Sequence, residues 1–122
     1  MESNGLVISK IMDVTIVDFK ISSILDSAAV EGIGTELYKL VDEQALRRIV
    51  VDFSGVRFLS SQMLGVLIAA HKKSAAIGGT IIFCGLRPEL FKIFKIMKLE
   101  KLMTFAENEE QALQKFDVHP QT

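Results

Sequence analysis

The sequence predicts a single α/β domain, and three observations carry that prediction. Two short apolar runs, residues 49–53 and 80–84, show almost no polar alternation, the pattern of central strands buried on both faces. From residue 49 onward strand and helix patterns take turns, three of each. Parallel pairing through right-handed crossovers is the economical arrangement for that order. At the N-terminal end, two runs rich in β-branched residues, 6–12 and 14–19, are split by Asp13 and read as an antiparallel hairpin. The expected sheet is therefore mixed, of four or five strands: an N-terminal hairpin followed by β-α-β-α-β-α.

The first helix is expected to begin after Asp26, whose side-chain oxygen can take up free backbone N–H groups of the first turn. Leu37, Leu40 and Val41 then recur at helical spacing. Gly32 and Gly34 sit in its middle, each costing about 1 kcal/mol relative to Ala. Close packing against the sheet is the expected reason, with a hinge or a contact surface as the alternatives. A second helix spans residues 61–77 and is closed by Gly78-Gly79. Pro88 suits the first turn of a third helix running to about residue 98. A short strand near residues 102–105 and a last helix over 108–116 complete the domain, expected over residues 1–117. Residues 118–122 are expected to be a frayed, flexible tail.

Composition narrows the function classes. Of 122 residues 49% are hydrophobic, ordinary for a globular fold and too many for a disordered chain. Lys and Arg number 14 against 15 Asp and Glu, a near-neutral balance that argues against a nucleic-acid partner. The longest unbroken apolar run, residues 63–70, holds eight residues against the roughly 20 of a membrane span, so no membrane partner is expected. The opening Met1-Glu2-Ser3-Asn4-Gly5 has neither the basic nor the apolar region of a secretory leader, and a cytoplasmic chain is expected. A single cysteine makes no internal disulfide or cysteine-rich metal site.

Catalytic patterns are missing from the sequence. His71 and His119 have no Cys or carboxylate at metal-ligand spacing. His71 lies beside Lys72 and Lys73 near a helix end, where a cation meets the dipole favourably. Cys84 ends an apolar run and reads as a small buried hydrophobe. Gly32-Ile33-Gly34 lacks a third glycine and follows no strand, so it is not a dinucleotide loop. Neither a Walker loop nor a nucleophile elbow is present, and no cofactor, metal or enzymatic activity is expected.

What stands out is Ser60-Ser61-Gln62-Met63, where a loop after a central strand becomes a helix. In open α/β sheets that edge is where ligands and partners approach. A helix N-terminus there offers free N–H groups and partial positive charge to a phosphate or carboxylate. Serine as a simple N-cap would equally explain the hydroxyls. On the third helix Lys92, Lys95 and Lys98 fall on one arc and Leu90, Ile93, Phe94 and Met97 on the opposite one. A solvated basic face is the ordinary reading; Phe91 on the basic side leaves a docking stripe open.

Val51-Asp52-Phe53-Ser54-Gly55-Val56-Arg57-Phe58-Leu59-Ser60-Ser61, followed by Leu64-Gly65-Val66-Leu67, resembles the signature of the STAS domains, the bacterial anti-sigma factor antagonists. Ile24-Leu25-Asp26 is similar to the family's Leu-Asp before its first helix. Gly79-Thr80-Ile81-Ile82-Phe83 with Gly85 is similar to its next strand. Lys95-Ile96-Met97-Lys98-Leu99 and Glu109-Glu110-Gln111-Ala112-Leu113 are similar to its closing elements, so the resemblance runs through nearly the whole chain.

The resemblance implies a phosphoacceptor at Ser61, with Ser60 as the second choice, and a partner-binding edge that includes Asp26, Asp52, Ser60, Gln62 and Met63. It implies a partner that is both anti-sigma factor and serine kinase, with a histidine-kinase-like ATPase fold, and a serine phosphatase that reverses the mark. The unphosphorylated chain would bind that partner and free a sigma factor, acting as a monomer or weak dimer. Two departures are visible: Ser60 stands where the family pattern has Asp, and Met63 where it commonly has Gly. The alternatives are a STAS subunit of a lipid-transport ABC complex and a scaffold component of a stress-signalling assembly. A nucleotide held at the same sheet edge is a further one.

Overall fold

The computed structural model describes residues 5–118. In order, these form β1 (Leu6–Ile11), β2 (Val14–Phe19), β3 (Ser23–Ile24), α1 (Ser27–Asp42), β4 (Arg48–Asp52), β5 (Phe58–Leu59) and α2 (Ser61–Ala76). Then come β6 (Thr80–Cys84), α3 (Pro88–Ile96), a 3-10 turn at Leu99–Lys101, β7 (Thr104–Ala106) and α4 (Glu109–Lys115). Five strands make one sheet in the order β1-β2-β4-β6-β7, and β3 pairs with β5 in a separate two-stranded ribbon. β1 and β2 are antiparallel, with Ile11 opposite Val14 across a two-residue turn. Met12 enters that turn at φ 57°, left-handed backbone, with its side chain 81% exposed. The other pairings in the main sheet are parallel, as expected of strands joined by helical crossovers.

The unalternating runs are buried on both faces because helices cover both. Ile49 and Val51 of β4, with Ile81 and Phe83 of β6, point into the layer made by α1, α2 and α3. Val50, Ile82 and Cys84 point the other way, under Ala112 and Leu113 of α4 and Phe116 just after it. Each such Val or Ile contributes about 1.5–3 kcal/mol by leaving water. A row of rings crosses the larger layer: Phe19 to Phe53 at 5.0 Å, Phe53 to Phe83 at 6.3 Å, Phe83 to Phe105 at 5.9 Å.

The helix ends follow their sequence signals. Asp26 caps α1 by accepting from the Ala29 N–H at 3.0 Å, and Asn108 caps α4 by accepting from Gln111 at 2.9 Å. Gly78, at φ 75°, closes α2 as the left-handed residue of a Schellman turn, with Gly79 N–H bonded to the Ser74 carbonyl at 2.8 Å.

Four expectations need correction. Gly34 packs against α2 and not the sheet: a Cβ there would meet the Val66 side chain at 3.4 Å. Val118 is not part of a loose tail. Asp117 takes φ 60°, Val118 N–H bonds the Leu113 carbonyl at 2.9 Å, and the Val118 side chain is buried beside α4. Residues 119–122, His119 among them, lie outside the described residues. α3 stops at Ile96, because Lys98 turns left-handed at φ 60° and starts the 3-10 turn, which delays β7 to Thr104. Finally, Ile93 and Met97 are exposed, whereas Phe91 packs edge-on against Phe105 at 5.2 Å. The core side of α3 is narrower than its apolar arc suggested, with only Leu90 and Phe94 buried.

Candidate functional site

β3 and β5 are too short for a sequence pattern, but they position the site. Their parallel register sets Ser23 beside Phe58 and Ile24 beside Leu59. Backbone bonds from Arg57 N–H to the Ser22 carbonyl (2.7 Å) and from Ser60 N–H to the Ile24 carbonyl (2.9 Å) fix the approach to α2. Asp26 follows one strand of this ribbon and Ser60 the other, so α1 and α2 begin side by side. Two positive helix ends therefore share one edge of the molecule.

Ser60 is the N-cap of α2, its Oγ accepting from the Met63 N–H at 3.2 Å. Its hydroxyl is committed to the helix and half-buried. Ser61, the first helical residue, is exposed, and its hydroxyl has no hydrogen-bond partner among the described residues. No acidic residue stands in the first turn of α2 to oppose an incoming phosphate. A phosphoryl group on Ser61 would add about −1.5 to −2 charges beside free helix N–H groups, which favour it. The arrangement suits a serine modified by another protein.

The other expected contact residues separate into two groups. Asp26 and Gln62 are exposed at this edge. Met63 is not available to a partner: it is fully buried in the main core, because the position two residues into α2 points down onto the sheet. Asp52 is also withdrawn, at 7% exposure. Its Oδ1 accepts from the Ser54 N–H at 2.9 Å, and its carboxyl is hydrogen-bonded to Glu109 of α4. That bond, with burial and the negative charges of Asp52 and Asp18, raises the Glu109 carboxyl to about 7, against the opposing pull of Lys20. Gly85 makes room for this pair: a Cβ there would lie 2.5 Å from Asp52 Oδ1. Asp52 thus anchors the loop leading to Ser61 instead of displaying a charge beside it.

Burial favours the neutral forms of both His71 and Cys84. Burial and the neighbouring Lys72 charge hold the His71 imidazole below its usual pKa, which works against a helix-end cation at that position. Cys84 is buried, and burial pushes its thiol well up. Among the described residues no cluster of His, Cys, Asp and Glu could hold a metal ion, and no helix is long and apolar enough to cross a membrane.

For three further residues of this edge the structure adds an exposure that the sequence alone does not give. Leu25 and Phe58, on the segments that lead into α1 and α2, are exposed at 54% and 57%. Gly65, one turn after Ser61, is exposed, and a Cβ there would meet nothing within 4 Å. Internal packing does not explain that glycine.

The STAS domain family model matches residues 8–112, a span that takes in the hairpin, the Ser61 edge and the start of α4. The chain belongs to the STAS domain family. Among its relatives, the Bordetella bronchiseptica protein BtrV, named as an anti-sigma factor antagonist, is 27% identical over 96 residues, 79% of this chain and 82% of that one. Among solved structures, Thermotoga maritima TM1081, also named as an anti-sigma factor antagonist, superposes with a TM-score of 0.80 at 14% identity, covering 90% of this chain and 92% of that one. The Bacillus cell fate determinant SpoIIAA in its phosphorylated form gives a TM-score of 0.70 at 21% identity, covering 91% and 98%. The structural likenesses establish that this STAS chain has the fold of those proteins, including the hairpin and the four helices.

Proposed function

We propose that this STAS domain is an anti-sigma factor antagonist whose docking edge is switched by phosphorylation of Ser61. The observation that carries the reading is the division of labour between adjacent serines: Ser60 is bound to the helix as its cap, and Ser61 is left exposed on the first turn. The name of BtrV and the phosphorylated state of SpoIIAA support the same reading.

In the unmodified state Leu25 and Phe58 give a partner apolar area to bury, with Asp26, Gln62 and the Ser61 hydroxyl as its polar margin. A dianion at Ser61 adds charge and bulk to that margin, where desolvating it against a partner without a matched cation is costly. Partner release then follows without any change of fold. The partner is an anti-sigma factor with serine kinase activity, and a serine phosphatase restores binding. The chain itself performs no catalysis and acts in the cytoplasm as a monomer or weak dimer, its domain spanning the residues from the hairpin to α4.

Incubation with the partner kinase and ATP, read by intact mass, tests this. One phosphate should be added to the parent chain and to Ser60→Ala, and none to Ser61→Ala. Phosphate on Ser61→Ala but not on Ser60→Ala would move the acceptor to Ser60, and an unmodified parent chain would remove the switch altogether.

A further inference from the structure

We propose that the C-terminal half of α3 and the 3-10 turn after it form a peripheral docking surface for an anionic membrane. Eight large apolar side chains are exposed among the described residues, and four of them, Ile93, Ile96, Met97 and Leu102, fall within ten positions of one another. Ile96, at 71%, is the most exposed of these four. A scatter of single exposed hydrophobics is normal, but a cluster marks a contact surface.

Charge says what that contact is. Lys92, Lys95, Lys98 and Lys101 recur every third residue through the same stretch, and all four are exposed. None is in an ion pair among the described residues; Lys95 lies over the Phe91 ring at 5.8 Å. Glu89 and Glu100 are the only acids from residue 88 to residue 101, so the stretch is basic although the chain as a whole carries −1. An apolar cluster edged by unpaired cations complements an anionic surface.

The kind of cation separates a lipid surface from a protein one. Protein interfaces are enriched in Arg, Met and aromatic residues and depleted in Lys. All four cations here are lysines, and three of the four exposed apolar side chains are aliphatic. Long lysine stems lie along apolar surface while their ammonium groups reach phosphate headgroups, the arrangement of helices that rest in a membrane interface.

Topology makes such docking compatible with signalling. α3 begins at the carboxyl edge of β6 and runs back, and β7 sets out again parallel to β6 from the opposite edge. Because β4 and β6 are parallel, Ser61 stands at the carboxyl edge and the Ile96–Leu102 end at the other. A bilayer bound at α3 leaves the Ser61 edge facing away from it. The sequence led to no expectation of a membrane partner, because it gave no span and placed Ile93 and Met97 inward.

Co-sedimentation of the full chain with vesicles tests the proposal. The chain should pellet with vesicles of about equimolar phosphatidylglycerol and phosphatidylcholine at low salt, and not with phosphatidylcholine alone. Salt of about 0.5 M should weaken the association. Lys92→Glu/Lys95→Glu should reduce it about tenfold or more, and Ile96→Asp should do the same by opposing insertion. These positions are exposed, so thermal melts should confirm unchanged folding. Ser61→Asp should bind vesicles like the parent, which separates this surface from the proposed phosphorylation edge. No binding to anionic vesicles would overturn the proposal and leave an acidic protein as the occupant. Equal binding to both vesicle types, or full retention by Ile96→Asp, would also overturn it.

Discussion

Asp52, the last residue of β4, and Glu109, the first residue of α4, meet with their carboxyl groups hydrogen-bonded in a cleft at the end of β4. Two carboxyls can share that bond only while one holds a proton. Asp18 lies opposite Asp52 in the β2–β4 register, Lys20 is paired with Asp18, and Glu107 and Glu110 line the same cleft. The Glu109 carboxyl rises from 4.5 to about 7, so the folded state holds its proton more tightly than the unfolded chain. The stabilisation is complete below about 4.5 and is lost as pH rises through about 7. Unfolding free energy should fall across that window, on the order of 1 kcal/mol after solvent screening of the half-exposed Glu109. Glu109→Gln should keep the bond and flatten the slope. Urea denaturation at a series of pH values from 5 to 8 checks both, and an equal slope in the variant would show that the pair does not hold the proton.

The two adjacent serines should separate in stability as cleanly as in modification. Ser60→Ala removes the cap of α2 and should cost about 1 kcal/mol. Ser61→Ala removes an exposed hydroxyl with no internal partner and should stay within about 0.5 kcal/mol of the parent. Chemical denaturation of the two variants gives the comparison directly.

Met63 should behave as a core residue. Its side chain is fully buried, so Met63→Ala should cost about 2–4 kcal/mol, whereas Gln62→Ala, one position earlier and exposed, should cost about 0.5 or less. If Met63→Ala weakened partner binding while leaving the denaturation midpoint unchanged, its place in the core would be wrong.

Glycines at different sites should respond to alanine by different amounts. Gly85 has φ 73°, and a Cβ there would lie 2.5 Å from Asp52 Oδ1 and 2.9 Å from the Ser54 backbone nitrogen. Gly85→Ala should therefore cost about 2 kcal/mol or more, by backbone strain and by disturbing the Asp52 anchor. At Gly34 the added Cβ would make a contact of 3.4 Å with Val66, which little movement relieves. Helix propensity offsets that contact, and Gly34→Ala should fall within about 1 kcal/mol of the parent. Thermal melts rank the two.

Local signals carried most of the architecture. The runs at 49–53 and 80–84 became β4 and β6 because their apolar residues are needed on both faces, and Asp26 and Asn108 became caps because their side chains reach N–H groups three residues on. The β3–β5 ribbon was not legible, since its bonds join Ser22 and Ile24 to Arg57 and Ser60 far along the chain. Val118 looks like tail in the sequence because nothing before it announces that Asp117 turns left-handed. At the site, Ser61 was readable from its place at a helix start. The inward turn of Met63 and the withdrawal of Asp52 were not, because both depend on what the sheet and α4 place opposite them.

Gly65 offers the sharpest separation of folding from function. It sits inside α2, where glycine costs about 1 kcal/mol relative to Ala, and beyond its own helix an added Cβ would touch nothing within 4 Å among the described residues. On internal grounds Gly65→Ala should raise stability by about 0.5–1 kcal/mol. Yet Gly65 is exposed one turn beyond Ser61, so its bare backbone lies beside the edge proposed for docking. A partner that approaches closely there meets the new methyl group first, and Gly65→Gln more severely. Binding of the unphosphorylated chain to its anti-sigma partner should weaken in that order while the melting temperature of Gly65→Ala rises. Calorimetry with the partner, beside a thermal melt, reads both. Undiminished affinity in Gly65→Gln would place the partner elsewhere on the molecule, away from the first two turns of α2.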